Sequence, residues 1–304
     1  MSHPQDNREV AASSNQDWAA SSPDRLKAAE IETRRLAKSH PENFLVASLL
    51  LPRRLRQPFY NVYAFCRTAD DLADQSPSPD IACSRLDDFQ RQLDETYAGR
   101  PCESLFIALA TTIDQFDLPQ QPFDELLDAF RQDQHTTRYA SSDELFDYCR
   151  RSANPVGRIV LRLGDCFDEE NVALSDQICT GLQLANFWQD VARDYAIGRI
   201  YLPADAMSRF GVSESMLSQA STPIALRQLL ASECDRAERI FRCGLPLADR
   251  VPGWLSSDIK LFAHGGLATL AAIRRIDFDV LRVRPTVSKW RQLGLVARAM
   301  LGLL

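Results

Sequence analysis

Apolar positions along this chain recur at intervals of three and four, the spacing of helices that bury one face. The pattern predicts helices over about 25–38, 43–50, 58–74, 80–98, 102–115, 122–133, 143–164, 175–197, 223–247, 254–275 and 286–302. Strand-like alternation is almost absent. Pro and Gly punctuate the pattern at "QSPSPD" (75–80), "AGRP" (98–101), "DLPQQP" (117–122) and "RVPGW" (250–254). Pro58 reads as the first turn of its helix, and Asp143 and Ser175 as N-caps. Residues 1–24 are polar, carry no period and read as a disordered tail. With no internal repeat and no linker, the expected architecture is all-α: a single-domain helical bundle over 25–304.

Two of these helices interrupt their apolar pattern with carboxylates. In "RTADDLAD" (67–74), Asp70 and Asp74 stand one turn apart. Like charges at that spacing oppose a helix by roughly 0.2–0.5 kcal/mol, so water or a cation must answer for them. Tyr63, Arg67, Asp70 and Asp74 share a sector of about 60°. Val62, Phe65, Ala69, Leu72 and Ala73 occupy much of the remainder. A helix apolar over most of its circumference is buried, which directs its polar stripe toward an internal space. Downstream, Gln183, Asn186, Asp190 and Asp194 repeat the arrangement at spacings of three, four and four. One acidic pair is ordinarily a solvated helix face. Two pairs in apolar helices point to divalent-cation binding between facing helices. Mg²⁺ takes hard oxygen ligands and keeps positions for substrate phosphates. Arg67 and Arg199 would add charge-assisted hydrogen bonds to a diphosphate.

Composition narrows the class. The chain has 304 residues, 45% hydrophobic and 25% charged, as in an ordinary globular protein. Its 35 Lys and Arg against 41 Asp and Glu give a net charge of −6, which argues against nucleic acid as a partner. Eight scattered cysteines without a C-x-x-C pair read as reduced thiols of a cytoplasmic protein. Four dispersed histidines exclude a zinc motif and, with it, a helical metallohydrolase. No secretory signal pattern and no run of about 18 apolar residues is present. The apolar end "LGLVARAMLGLL" (293–304) reads as a last helix docked on the core, the alternative being peripheral membrane contact.

Three segments together resemble the squalene/phytoene synthase family: "VYAFCRTADDLAD" (62–74), "DYCRRSANPVGRIVLRL" (147–163) and "QLANFWQDVARDYAIGRIYLP" (183–203). The resemblance spans about residues 36–290 and implies an isoprenoid synthase fold with a central cavity. It assigns Asp70 and Asp74, and Asn186, Asp190 and Asp194, to Mg²⁺ and through it to substrate diphosphate. Arg67 and His40 match diphosphate-contacting positions, and Tyr63, Tyr148, Gln183, Arg199 and Tyr201 match pocket positions. Gln189 and Arg193 depart from the family pattern, which often has Arg and an acidic residue there. Glu42 and Asn43 replace a basic and a serine position. Together with "HPENF" (40–44), these features look most like the bacterial hydroxysqualene synthase branch, which serves hopanoid precursor synthesis.

That branch implies Mg²⁺-dependent conversion of presqualene diphosphate and water to hydroxysqualene and diphosphate, with no need of NADPH. Loss of a cation that holds a second diphosphate would suit a single-diphosphate substrate. The aromatic candidates for stabilising the intermediate cation are Phe59, Tyr63, Phe187 and Tyr201, and Tyr148 or Tyr201 would position water. The alternatives are head-to-head condensation to presqualene diphosphate, dehydrosqualene or phytoene, and a non-catalytic assembly or lipid-binding factor. Buried carboxylates costly in desolvation argue against the last. The expected partners are a prenyl diphosphate substrate and neighbouring pathway enzymes. Oligomeric state is left open.

Overall fold

The computed structural model describes residues 23–39, 51–288 and Arg298, and all its regular elements there are helices. The chain divides into two compact units, Met1–Gln134 and His135–Leu304. The first contains α1 (Pro23–Ser39), α2 (Arg53–Asp74), α3 (Pro79–Tyr97), α4 (Ser104–Phe116) and α5 (Gln121–Gln132). The second contains α6 (Ser142–Ser152), α7 (Asn154–Leu163), α8 (Glu169–Ala196), α9 (Ala204–Arg209), α10 (Ile224–Gly244) and α11 (Gly253–Arg275), with 3₁₀ turns at Glu214–Ser218 and Leu245–Asp249. The expected helix at 43–50, most of that at 286–302 and most of the tail at 1–24 lie outside the described residues; Thr286, Val287 and Ser288 are described and are not helical.

In the first unit, the apolar faces of four helices meet through phenylalanines. Phe65 of α2 lies 5.1 Å from Phe89 of α3 and 5.0 Å, edge-on, from Phe123 of α5, and Phe89 lies 4.9 Å from Phe106 of α4. Offset and edge-on pairs of this kind add roughly 0.5–1.5 kcal/mol each beyond area burial. A buried polar junction joins α1, α2 and α4 beside them. Asn61 Oδ1 accepts from Thr33 Oγ1 at 2.7 Å and from Gln57 Nε2 at 2.8 Å. Its Nδ2 donates to the Ala108 carbonyl at 2.8 Å and to Thr112 Oγ1 at 3.0 Å. Replacing Asn61 with Leu strands these groups away from water and is expected to cost about 2–3 kcal/mol of stability. A thermal melt indistinguishable from wild type would refute that role.

Pro58 does not open its helix. Helix α2 begins at Arg53 after Pro52, and Pro58 lies inside it. The missing N–H costs one bond near the helix start, where Gln57, donating to the Glu30 carbonyl and Thr33, already ties the segment to α1. The segment expected as one helix over 143–164 is two. Pro155 removes a donor and restricts Asn154, and the chain breaks at Ala153 (φ −124°, ψ −47°). The N-cap of α6 is Ser141, not Asp143: Ser141 Oγ accepts from Glu144 N at 3.3 Å, and Glu144 returns to Ala140 N.

Nor is Ser175 a cap. Helix α8 starts at Glu169, capped by Asp168, whose Oδ1 accepts from Asn171 N at 2.7 Å. Ser175 is buried mid-helix, where α7 approaches so closely that a Cβ on Gly157 would stand 2.4 Å from its Oγ. Arg158 and Asp176 pair across the same contact at 2.8 Å. Deeper in this unit the Phe241 ring of α10 lies against Gly266 of α11, where a Cβ would come within 2.2 Å of Phe241 Cζ.

One buried polar group in the second unit is treated differently from Asn61. Asp258 of α11 is 3% exposed, and its Oδ1 has no hydrogen-bond partner among the described residues. Burial pushes its carboxyl up to about 8. The folded protein therefore keeps a proton that the unfolded chain releases from about pH 4. This group's contribution to stability is full below that pH and is lost as pH rises toward 8. Asp258→Asn removes the dependence. Its melting temperature should exceed that of wild type at pH 8.5 by more than at pH 5, and parallel curves would contradict the assignment.

Candidate active site

The sequence-derived site residues fall on α2 in the first unit, and on α6, α8 and the segment after α8 in the second. His40 lies outside the described residues. On α2 the stripe forms as spaced. Arg67 Nη1 lies 3.1 Å from Asp70 Oδ2, and Arg67 Nη2 also pairs with Asp71. Gln75 Nε2 adds a 2.6 Å bond to Asp71 Oδ1. The guanidinium thus answers part of the charge that the spacing leaves to water or a cation. The Arg67 pKa is raised, chiefly by its hydrogen bond to Asp71. Tyr63 is half-buried with its hydroxyl pKa raised by burial, while Asp74 at the helix end is exposed. Phe59 and Tyr63 pack on Ala37 and Tyr60. Asp71, not counted among the site residues from the sequence, is Arg67's second partner.

In the second unit the α8 stripe runs from half-buried Gln183 through exposed Asn186 to half-buried Asp190 and Asp194. The helix is kinked at Asp190, whose φ of −106° and ψ of 15° lie outside helical values. A fork grips that residue: Arg284 Nε donates to Asp190 Oδ1 at 2.5 Å and Nη2 to Oδ2 at 2.9 Å. Beside it, Gln189 Nε2 donates to the Pro285 carbonyl at 2.6 Å. Arg284 escaped the sequence analysis because its signal is only a basic run, "RVRP" (282–285), about ninety residues downstream.

Asp194 is the chemically distinctive member. Burial first, and the Asp190 charge second, push its carboxyl up to about 7, against the pull of Arg199, Arg193 and Arg284. Arg199 sits at the turn that ends α8, its backbone N donating to the Asp194 carbonyl at 2.8 Å. The turn depends on Gly198, whose φ of 83° suits glycine. Arg138 holds it from outside, donating to the Gly198 carbonyl at 2.6 Å and to Glu214 at 2.8 and 3.1 Å.

Backbone bonds then align two extended stretches: Ile200 N to the Thr137 carbonyl at 2.9 Å, and Ala204 N to the Tyr139 carbonyl at 2.9 Å. These place Tyr201 flat on Phe187, with centroids 3.9 Å apart and planes 9° apart. Tyr148 completes the wall at 6.0 Å from Tyr201 and 6.2 Å from Phe187. Tyr139, unforeseen from the sequence, sits 5.4 Å from Tyr148 and 5.8 Å from Tyr201. A small cavity touches this wall and the acidic stripe together, lined by Phe187, Val191, Asp194, Arg199 and Tyr201 among others.

Among the described residues no three His, Cys, Asp or Glu side chains gather into a ready metal cage. The donor chemistry nevertheless suits Mg²⁺: carboxylate oxygens at i, i+4, one of them held partly protonated by burial and by its neighbour's charge. A divalent cation would relieve that repulsion and displace the proton. Among the described residues no helix is long and apolar enough to cross a membrane.

Comparison with known proteins gives the family and the fold. The squalene/phytoene synthase family model matches residues 37–291. A hydroxysqualene synthase from Sinorhizobium fredii is 36% identical over 71% of this chain and 73% of its own length. A 15-cis-phytoene synthase from Synechococcus elongatus is 28% identical over 91% of this chain and 94% of its own. The crystal structure of squalene synthase HpnC from Alicyclobacillus acidocaldarius is 42% identical, with a TM-score of 0.80, covering 84% of this chain and 96% of that one.

Proposed function

The chain belongs to the squalene/phytoene synthase family and has the all-α isoprenoid synthase fold, and on that premise we propose that it converts presqualene diphosphate and water to hydroxysqualene and diphosphate. The observation that carries the choice within the family is the engagement of Gln189. Its amide is held by the Pro285 carbonyl beside the Arg284–Asp190 fork. A neutral, occupied side chain there suits a substrate with one diphosphate. The likeness to the S. fredii hydroxysqualene synthase points the same way.

The chain's own residues divide the chemistry. Arg199 and Arg284 around α8 offer guanidinium donors where negative charge develops on a departing diphosphate, and Arg67 on α2 matches the family's diphosphate-contacting arginine. Asp70 and Asp74 on their stripe, and Asn186, Asp190 and Asp194 on theirs, would hold Mg²⁺. When bound, the ion supplies Lewis-acid stabilisation of the leaving group. As the C–O bond breaks, the Phe187–Tyr201 stack, which lines the cavity and is backed by Tyr148 and Tyr139, offers π surface to the cation left behind, worth roughly 0.5–2 kcal/mol per ring that meets it. Water then adds to the cation and loses a proton.

Head-to-head condensation of two prenyl diphosphates is the second reading, favoured by the longer alignment to phytoene synthases. Purified protein offered presqualene diphosphate or farnesyl diphosphate with Mg²⁺ and no NADPH separates the two by mass spectrometry. Hydroxysqualene from presqualene diphosphate is the expected product. Turnover of farnesyl diphosphate alone would favour condensation.

A further inference from the structure

The carboxylate at the kink of α8 is gripped by a side chain from a distant part of the chain. Arg284 Nε donates to Asp190 Oδ1 at 2.5 Å and Nη2 to Oδ2 at 2.9 Å, so one guanidinium covers both oxygens that a divalent cation would use. On α2, by contrast, Arg67 pairs with Asp70 and Asp71 of its own helix. The segment that delivers Arg284 has a fixed root and a tip held by side chains. At the root, Asp279 Oδ1 accepts from Thr222 N at 2.7 Å, and Leu281 N donates to Thr222 Oγ1 at 3.1 Å. Beyond it Val283 is 53% exposed, and the tip meets α8 through the fork and the Gln189 bond to the Pro285 carbonyl. The partners differ in exposure: the Asp190 side chain is 17% exposed and that of Arg284 51%. The guanidinium can therefore swing away into water at small cost, while the carboxylate stays in place.

We propose that Arg284 is a placeholder on Asp190 that makes cation binding depend on diphosphate. The inference rests on the reading of Asp190 as a Mg²⁺ ligand. A divalent cation arriving alone has to displace the fork and then stands beside an unpaired guanidinium, two costs that lower its affinity. Diphosphate removes both. Its oxygens complete the coordination of the cation and accept the two parallel N–H bonds that Asp190 gives up. Cation and diphosphate then favour each other by the same factor, as linkage requires. No covalent bond forms or breaks in the exchange: the fork passes from one oxyanion to another.

Calorimetric titration of Mg²⁺ with and without inorganic diphosphate tests this on wild type, Arg284→Ala and Arg284→Lys, the heat of Mg²⁺–diphosphate association in buffer being subtracted. Without diphosphate, Arg284→Ala should bind Mg²⁺ about three- to tenfold more tightly than wild type, because Asp190 is left uncovered. The factor by which diphosphate tightens Mg²⁺ binding should shrink about tenfold in the same variant. Arg284→Lys keeps the charge but not the fork and should fall between the two. Arg284 is half exposed, so the alanine variant is expected to fold; if it does not, the lysine variant decides by the same two comparisons. Mg²⁺ binding no tighter than that of wild type without diphosphate, or an undiminished effect of diphosphate, would overturn the inference and leave the metal reading standing. A wild-type protein that binds no Mg²⁺ even with diphosphate would overturn both.

Discussion

Asp190→Ala is expected to lower turnover by about 10³-fold while the protein stays folded. Asp190 stands at the kink of α8 and receives both arms of the Arg284 fork. Its removal deletes a carboxylate that would hold Mg²⁺ and frees the guanidinium meant for the diphosphate. It also takes away the charge that helps push Asp194 up, so Asp194 ionises more readily. The stability cost is small, about 1 kcal/mol, because Arg284 is half exposed and can turn to water. Steady-state kinetics with a circular-dichroism melt checks both halves. Turnover equal to wild type would remove Asp190 from the site.

Asp70→Ala on α2 should lower turnover by about 10²-fold or more. Asp70 shares Arg67 with Asp71, so its loss leaves the guanidinium anchored but the stripe short of one oxygen donor. The Asp71→Ala variant reverses the bookkeeping: it keeps the donor and weakens the anchor. The Asp70 variant should be the more impaired of the two in kcat. Equal, mild losses in both would mean that Arg67 positioning, not the Asp70 oxygen, is what α2 contributes.

Much of this was legible from spacing alone. Nine period-3.6 segments locate ten of the described helices to within a few residues at most ends, α6 and α7 read as one and the short α9 missed, because each long helix buries one face. The acidic stripes follow from i, i+4 geometry, and the structure leaves them on α2 and α8 as expected. The misplacements have local causes. Pro58 resembles a helix start, yet side-chain bonds from Gln57 and Asn61 hold the earlier turn in place. Ser175 resembles a cap, yet its small size serves the close crossing with Gly157. Arg284 and Tyr139 reach the site through tertiary packing and carry no periodic signal. Asp258 is one polar letter in an apolar helix until its burial is known.

Calorimetric titration of Mg²⁺ into the protein with inorganic diphosphate present, for wild type and for Asp190→Asn/Asp194→Asn, tests the central claim without relying on turnover. Wild type should bind Mg²⁺ saturably, more tightly with diphosphate and with release of protons, and the double variant should lose that binding. Equal binding by both proteins, or none by wild type, would contradict it.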